Sequence, residues 1–146
     1  MSLIELVAVV TLMGIFASVA IARLGPTVFG EIGAGADARK VALALLQAKR
    51  RAIVNGQTHA VVFQGSGAST SFTVAAVDGS GTATTVDGPF VLTRNVSSSV
   101  SAATMLFNFE GQALGPYTIT LNGSHRSWQI SVIPINGSVS TVETTH

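Results

Sequence analysis

From Leu3 to Ala22 the chain carries a single charge, Glu5, in a helix-compatible run of Leu, Ile, Val and Ala that stays otherwise uncharged until Arg23. As a helix, Leu6 to Ala22 spans about 25 Å at about 1.5 Å per residue, near the lower limit for crossing a hydrocarbon core of about 30 Å. Residues 1–24 are therefore predicted to form a hydrophobic helix that spans a membrane or packs in a bundle of such helices. A carboxylate inside such a helix costs on the order of 3 kcal/mol or more, so Glu5 requires a partner. The chain's own N-terminus points away from it. In a stack of parallel, staggered helices, the free α-amine of a neighbouring chain can meet it instead. A secretory signal peptide does not fit, because Met1-Ser2-Leu3 offers no basic n-region.

Ser-Leu-Ile-Glu-Leu at positions 2–6, followed by an apolar helix containing Gly14, resembles the mature N-terminus of type IV pilins and type II secretion pseudopilins. The resemblance implies that a prepilin peptidase removes a leader and methylates the new terminus, with Met1 as the processed first residue. It further implies Glu5, Gly14 and Pro26 as assembly residues. The implied partners are other pilins or copies of the same chain in a helical filament, the inner membrane before assembly, the peptidase and an assembly platform. The expected location is a single-pass helix in the cytoplasmic membrane, then an extracellular pilus or a periplasmic pseudopilus. One departure is visible: where many pilins carry a helix-bending Pro this chain has Ala22, and its Pro comes four residues later.

Composition agrees with a chain that lives in a membrane or a polymer. Hydrophobic residues make up 47% and charged ones only 10%, well below the usual quarter. A net charge of +1 argues against a general polyanion partner. With 146 residues there is room for one domain beyond the helix, and the absence of Cys excludes any disulfide-closed loop.

Arg23-Leu24-Gly25-Pro26 with Gly30, Gly33 and Gly35 marks 25–35 as a hinge, since Pro removes a donor and each Gly disfavours helix by about 1 kcal/mol. Helical periodicity returns over 36–55 and ends at Asn55-Gly56. Ala38, Val41, Leu45, Ala48 and Ala52 form one stripe, predicted to bury on a sheet, with Arg39, Lys40, Gln47, Arg50 and Arg51 opposite. Lys49 falls among the apolar residues, and its amine is expected to reach water over a packed stem. Leu43 and Val54 sit on the basic side, where a neighbour would cover them.

Residues 56–146 read as strands at Thr58–Gln64, Ser71–Val77, Phe90–Arg94, Met105–Glu110, Tyr117–Leu121, Trp128–Ile133 and Ser138–Val142. Turns are predicted at Gly65-Ser66-Gly67, Asp78-Gly79-Ser80-Gly81, Asp87-Gly88-Pro89, Asn122-Gly123 and Asn136-Gly137. The expected fold class is α+β, a long N-terminal helix on an antiparallel β-sheet domain; the resemblance to pilins implies that this is the pilin fold. The helix ending Ala48-Lys49-Arg50-Arg51-Ala52-Ile53-Val54-Asn55-Gly56, the segment Phe107-Asn108-Phe109-Glu110-Gly111 and the closing Ile130 to Val139 strand region resemble the H-type minor pseudopilin and FimT-like pilin group. Gly137-Ser138 stands where that group closes with Gly-Arg.

Catalysis finds no support in the sequence. Asp37, Asp78, Asp87, Glu110 and Glu143 form no close pair, and His59, His125 and His146 have no metal-ligand spacing. Gly65-Ser66-Gly67 and Gly79-Ser80-Gly81 lack the following helix of a phosphate loop. No cofactor is implied. The basic face with Lys49-Arg50-Arg51 admits nucleic acid as a rival partner, but such faces are usually solvated or in subunit contacts. Asn95, Asn122 and Asn136 lie in Asn-x-Ser triplets and are candidate glycosylation sites. The sequence thus reads as a structural filament subunit, with an H-type minor pseudopilin as the alternative and a FimT-like DNA-uptake pilin behind it.

Overall fold

The computed structural model describes residues 2–65, 67–93 and 96–145, leaving the side chains of 24–31 and 68 outside the description. One helix, α1 (Leu3–Asn55), precedes eight strands: β1 (His59–Gln64), β2 (Ser71–Val77), β3 (Ala83–Val91), β4 (Ser97–Val100), β5 (Thr104–Phe107), β6 (Tyr117–Asn122), β7 (Arg126–Ile133) and β8 (Ser138–Thr145). A 3-10 turn at Gly67–Ser69 links β1 to β2. Ser2 caps the start of α1, and its N–H faces the Glu5 carboxylate at 3.4 Å. The helix stops where Gly56 enters the left-handed region at φ 63° and donates its N–H to the Ala52 carbonyl, a conformation that suits Gly.

The break expected over 25–35 is absent, because α1 runs through it as one helix of 53 residues. The glycines explain part of this. A Cβ on Gly33 would come within 2.8 Å of Thr93 Cγ2, and one on Gly35 within 3.3 Å of Trp128 Cζ2. Both positions are small because the β-domain presses on them, and that contact holds the helix in place.

Each sheet has four antiparallel strands, in the order β3-β2-β1-β5 and β4-β6-β7-β8. Both sheets pack on the second half of α1, mainly through β1 and β7. Ala38, Val41, Leu45, Ala48 and Ala52 are buried, as the wheel predicts. They meet Val61, Phe72, Met105 and Phe107 of one sheet and Ile119, Leu121 and Ile130 of the other in one core. Strand β6 alternates buried and half-buried residues along its whole length, the pattern of a sheet with one covered face.

Several strand expectations change. The strand expected at Phe90–Arg94 begins at Ala83 and ends at Val91, so Asp87-Gly88-Pro89 lies inside β3 and makes no turn; Arg94 is outside the described residues. Register shifts against β2 on both sides of Val74 absorb the irregularity. The strand expected at Met105–Glu110 ends at Phe107, since Asn108 Oδ1 accepts from Glu110 N–H and Gln112 N–H and folds 108–112 into a turn. The serine run is a strand, β4, although its composition reads as plain surface.

Candidate assembly surface

Among the described residues, the first half of α1 is exposed along its whole length. Leu3–Arg23 has a mean hydropathy of 2.4 over its most apolar window, and none of that window is buried. Its polar side chains are satisfied within the helix: Thr11 Oγ1 donates to the Val7 carbonyl at 2.7 Å and Ser18 Oγ to the Ile15 carbonyl at 2.8 Å. Among the described residues, Glu5 accepts the long Ser2 N–H contact at 3.4 Å. A Cβ on Gly14 would meet nothing within 4 Å, so no contact inside the chain requires glycine there. Met1, the Pro26 side chain and Asn95 lie outside the described residues.

On the second half of α1, an outward face carries Ile32, Leu43, Leu46 and Val54, all exposed, together with Arg39 and Arg50. Two of the basic residues are neutralised. Lys40 Nζ reaches Asp37 Oδ1 at 3.0 Å, and Arg51 lies 4.0 Å from Asp87 Oδ2, which also accepts from Gln47 at 2.8 Å. Arg39 and Arg50 have no acidic partner among the described residues. Asp37 is fully buried and its second oxygen accepts the Thr93 N–H at 2.6 Å, tying the segment just after β3 to the helix. Lys49 is half-buried, and its amine donates to the Asn136 carbonyl at 2.7 Å in an exposed bond.

That bond belongs to a junction between α1 and two turns of the β-domain. Gly111 (φ 81°) and Gly137 (φ 57°) face each other beside Lys49, and a Cβ on Gly137 would collide with the Gly111 carbonyl oxygen. The two glycines singled out by resemblance are therefore positions of close backbone approach. Asn136 is exposed in this turn, with its Oδ1 accepting the Ser138 N–H at 2.9 Å. Asn122 is half-buried at the end of β6, paired with Ser127.

The remaining acids are dispersed. Glu143 pairs with Arg126 at 2.7 Å across β7 and β8. Asp78 closes the β2–β3 turn, accepting from Ser80 Oγ at 2.6 Å and from Thr82 N–H at 2.8 Å. The Ser80 hydroxyl first, then the Thr82 amide, holds its carboxyl below the ordinary aspartate range. His59 is buried, its Nδ1 3.1 Å from the Gln57 carbonyl. Among the described residues no group of His, Cys, Asp and Glu is arranged to hold a metal ion.

Beside α1, the sheet formed by β7 and β8 reaches past the helix and leaves a groove of about 1250 Å³. Ile32, Arg39, Leu43 and Leu46 line the helix side, Trp128 and Glu143 the sheet side. Sequence reasoning missed this groove. Its one local signal was the placement of Leu43 on the basic side of the helix.

No family model and no curated protein matches the chain. Solved structures do. The minor pseudopilin EpsH from the type 2 secretion system of Vibrio cholerae superposes with a TM-score of 0.62 at 15% identity, over 75% of this chain and 95% of that one. The type IV minor pilin FimU of Pseudomonas aeruginosa superposes with a TM-score of 0.60 at 12% identity, over 77% of this chain and 90% of that one. The chain has the fold of these proteins, a long N-terminal helix on antiparallel sheets.

Proposed function

We propose that the chain is a structural subunit of a type IV pilus-like helical filament, anchored in the cytoplasmic membrane through α1 before assembly. The observation that carries this reading is one continuous helix whose second half is built into a folded domain and whose first 21 residues are apolar and uncovered. In the filament, neighbouring copies replace lipid around that segment, at about 25 cal/mol per Å² wherever water would otherwise reach it. Glu5 pairs with the α-amine of a neighbour's Met1. At about 4 Å and an effective dielectric of 20 that pair is worth roughly 4 kcal/mol before desolvation, and an unpaired carboxylate there costs more than no charge. Register follows from that asymmetry.

Gly14 lets helices approach closely, in keeping with the open space around its Cα. Pro26, which lacks one backbone donor, is the place where 25–35 bends or melts during assembly. Leader removal and methylation at Met1 by a prepilin peptidase, and delivery by an assembly platform, complete the reading. Of the Asn-x-Ser triplets, Asn136 presents the exposed turn that a glycosylating enzyme needs.

Glu5→Ala with the chain still inserted in the membrane should lower the yield of sheared fibres about tenfold or more, the effect of losing some 1.4 kcal/mol per contact. A normal yield removes the pairing. An H-type minor pseudopilin role is the second reading, supported by superposition on two minor subunits. Mass spectrometry of sheared fibres separates them: dominance of this chain supports the major role, absence from fibres the minor one. DNA uptake draws less support, since Asp37 and Asp87 neutralise Lys40 and Arg51 and the closing Gly-Arg pair is Gly137-Ser138.

A further inference from the structure

The two sheets end in four edges, β3 and β5 in one and β4 and β8 in the other. Three are blunted. Strand β3 shifts register twice against β2 and contains Pro89, which has no N–H. Strands β4 and β5 have four residues each, and the chain folds back over β5, where Phe107 bridges Ala113 and Leu114 N–H donates to the Leu106 carbonyl. Strand β8 is different. Its eight residues pair with β7 without a shift, from Arg126↔Thr145 to Ile133↔Ser138. It contains no Pro, Gly or Lys, and its single charge, Glu143, is held by Arg126. Apart from Glu143, whose charge is paired with Arg126, the described residues of β8 carry no Pro, bulge or other charge of the kind that prevents strand addition.

We infer that the outer edge of β8 accepts an extended segment of a different polypeptide, one with apolar residues at alternate positions and an acidic residue among them. An added strand lies about 4.8 Å outside β8, and every second side chain falls on the face of Thr141 and Glu143, over the groove. There it meets Ile32 and Leu43, each 65% exposed. Arg39 lines the same groove without an acidic partner among the described residues, and it selects the acid.

A second copy of the chain fits less well. The groove-facing residues of its own β8 are Thr141, Glu143 and Thr145, which would set polar groups against Ile32 and Leu43. Antiparallel self-pairing also requires a two-fold axis normal to the sheet. Because α1 lies on the sheet face, that axis would turn the two apolar anchors in opposite directions. Only this last argument rests on the filament reading.

The test uses the full chain in detergent micelles and three ten-residue peptides that alternate Val and Thr. The first carries one Glu in the Val register, the second a Lys at that place and the third a central Pro. The Glu peptide should slow amide hydrogen exchange over 138–145, the Lys peptide should bind about tenfold more weakly, and the Pro peptide should leave exchange unchanged. Arg39→Glu, at an exposed position, should reverse the order of the first two peptides. Thr141→Lys, which puts a charge on the groove face, should abolish binding. Unchanged β8 exchange with every peptide overturns the inference, as does equal binding of the Glu and Lys peptides. Protection of β8 that rises with protein concentration alone assigns the edge to a second copy and overturns it too.

Discussion

Leu12 and Leu45 lie on the same helix, the first 53% exposed and the second fully buried. The two halves of α1 share a backbone but not a solvent. In the first, Leu3–Arg23, apolar residues occupy every side and none is covered. In the second, apolar residues are confined to a stripe that two sheets cover, while the outward face mixes Leu43 and Leu46 with Arg39 and Arg50. A helix apolar all round is made for lipid or for other helices, and a striped helix is made for its own domain. The difference teaches where the cohesion of the fold is stored: the second half is part of the domain's core, and the first half adds no buried side chain to it.

The sharpest way to break that comparison is a matched pair of truncations. Leu45→Ala should destabilise the solubilised chain by about 2–5 kcal/mol in denaturant unfolding, as buried Leu truncations do. Leu12→Ala should change the same unfolding by less than about 0.5 kcal/mol while reducing fibre yield. Equal effects of the two on unfolding would mean that the first half folds back on the domain.

A smaller effect is expected at the junction of the second half with the sheets. Gly137→Ala meets both a left-handed φ and the Gly111 carbonyl oxygen, and should cost about 1–3 kcal/mol, read by thermal unfolding. Gly14→Ala in the first half, with open space around it, should leave thermal unfolding unchanged.

The smallest effect is expected at the β2–β3 turn, outside α1. Asp78 has a folded pKa below its ordinary value, chiefly through the Ser80 hydroxyl and the Thr82 amide. Its contribution is therefore complete above the unfolded pKa of about 4 and is lost as pH falls through the lower folded value. A proton-NMR titration should show the Ser80 and Thr82 amides shifting with a midpoint below that of a free aspartate. In Asp78→Asn the shift should vanish, with no change in α1.

The anchor, the buried stripe and the stop at Gly56 were legible because helix periodicity, charge exclusion and capping act within a few residues. Strands β1, β2, β6 and β7 were legible for the same reason, as alternation or a β-branched run bounded by turn residues. Strands β3 and β4 were not. In β3 the turn-forming Asp87-Gly88-Pro89 is overridden by pairing with β2, and in β4 a serine run is recruited by β6. The glycines at 33 and 35 were misread as freedom because the residues that press on them, Thr93 and Trp128, are distant in sequence.

By itself, the sequence determined that this protein has an apolar helical run with one acid near its start, followed by an amphipathic helical run and a β-rich domain. Those are properties of local pattern and of the free energy of transferring side chains from water. Tertiary structure alone decided that α1 runs unbroken through 25–35, that Lys49 closes on the Asn136 carbonyl, and that β8 overhangs the helix and leaves a groove. Each depends on groups far apart along the chain, whose meeting is set by how two sheets share one helix.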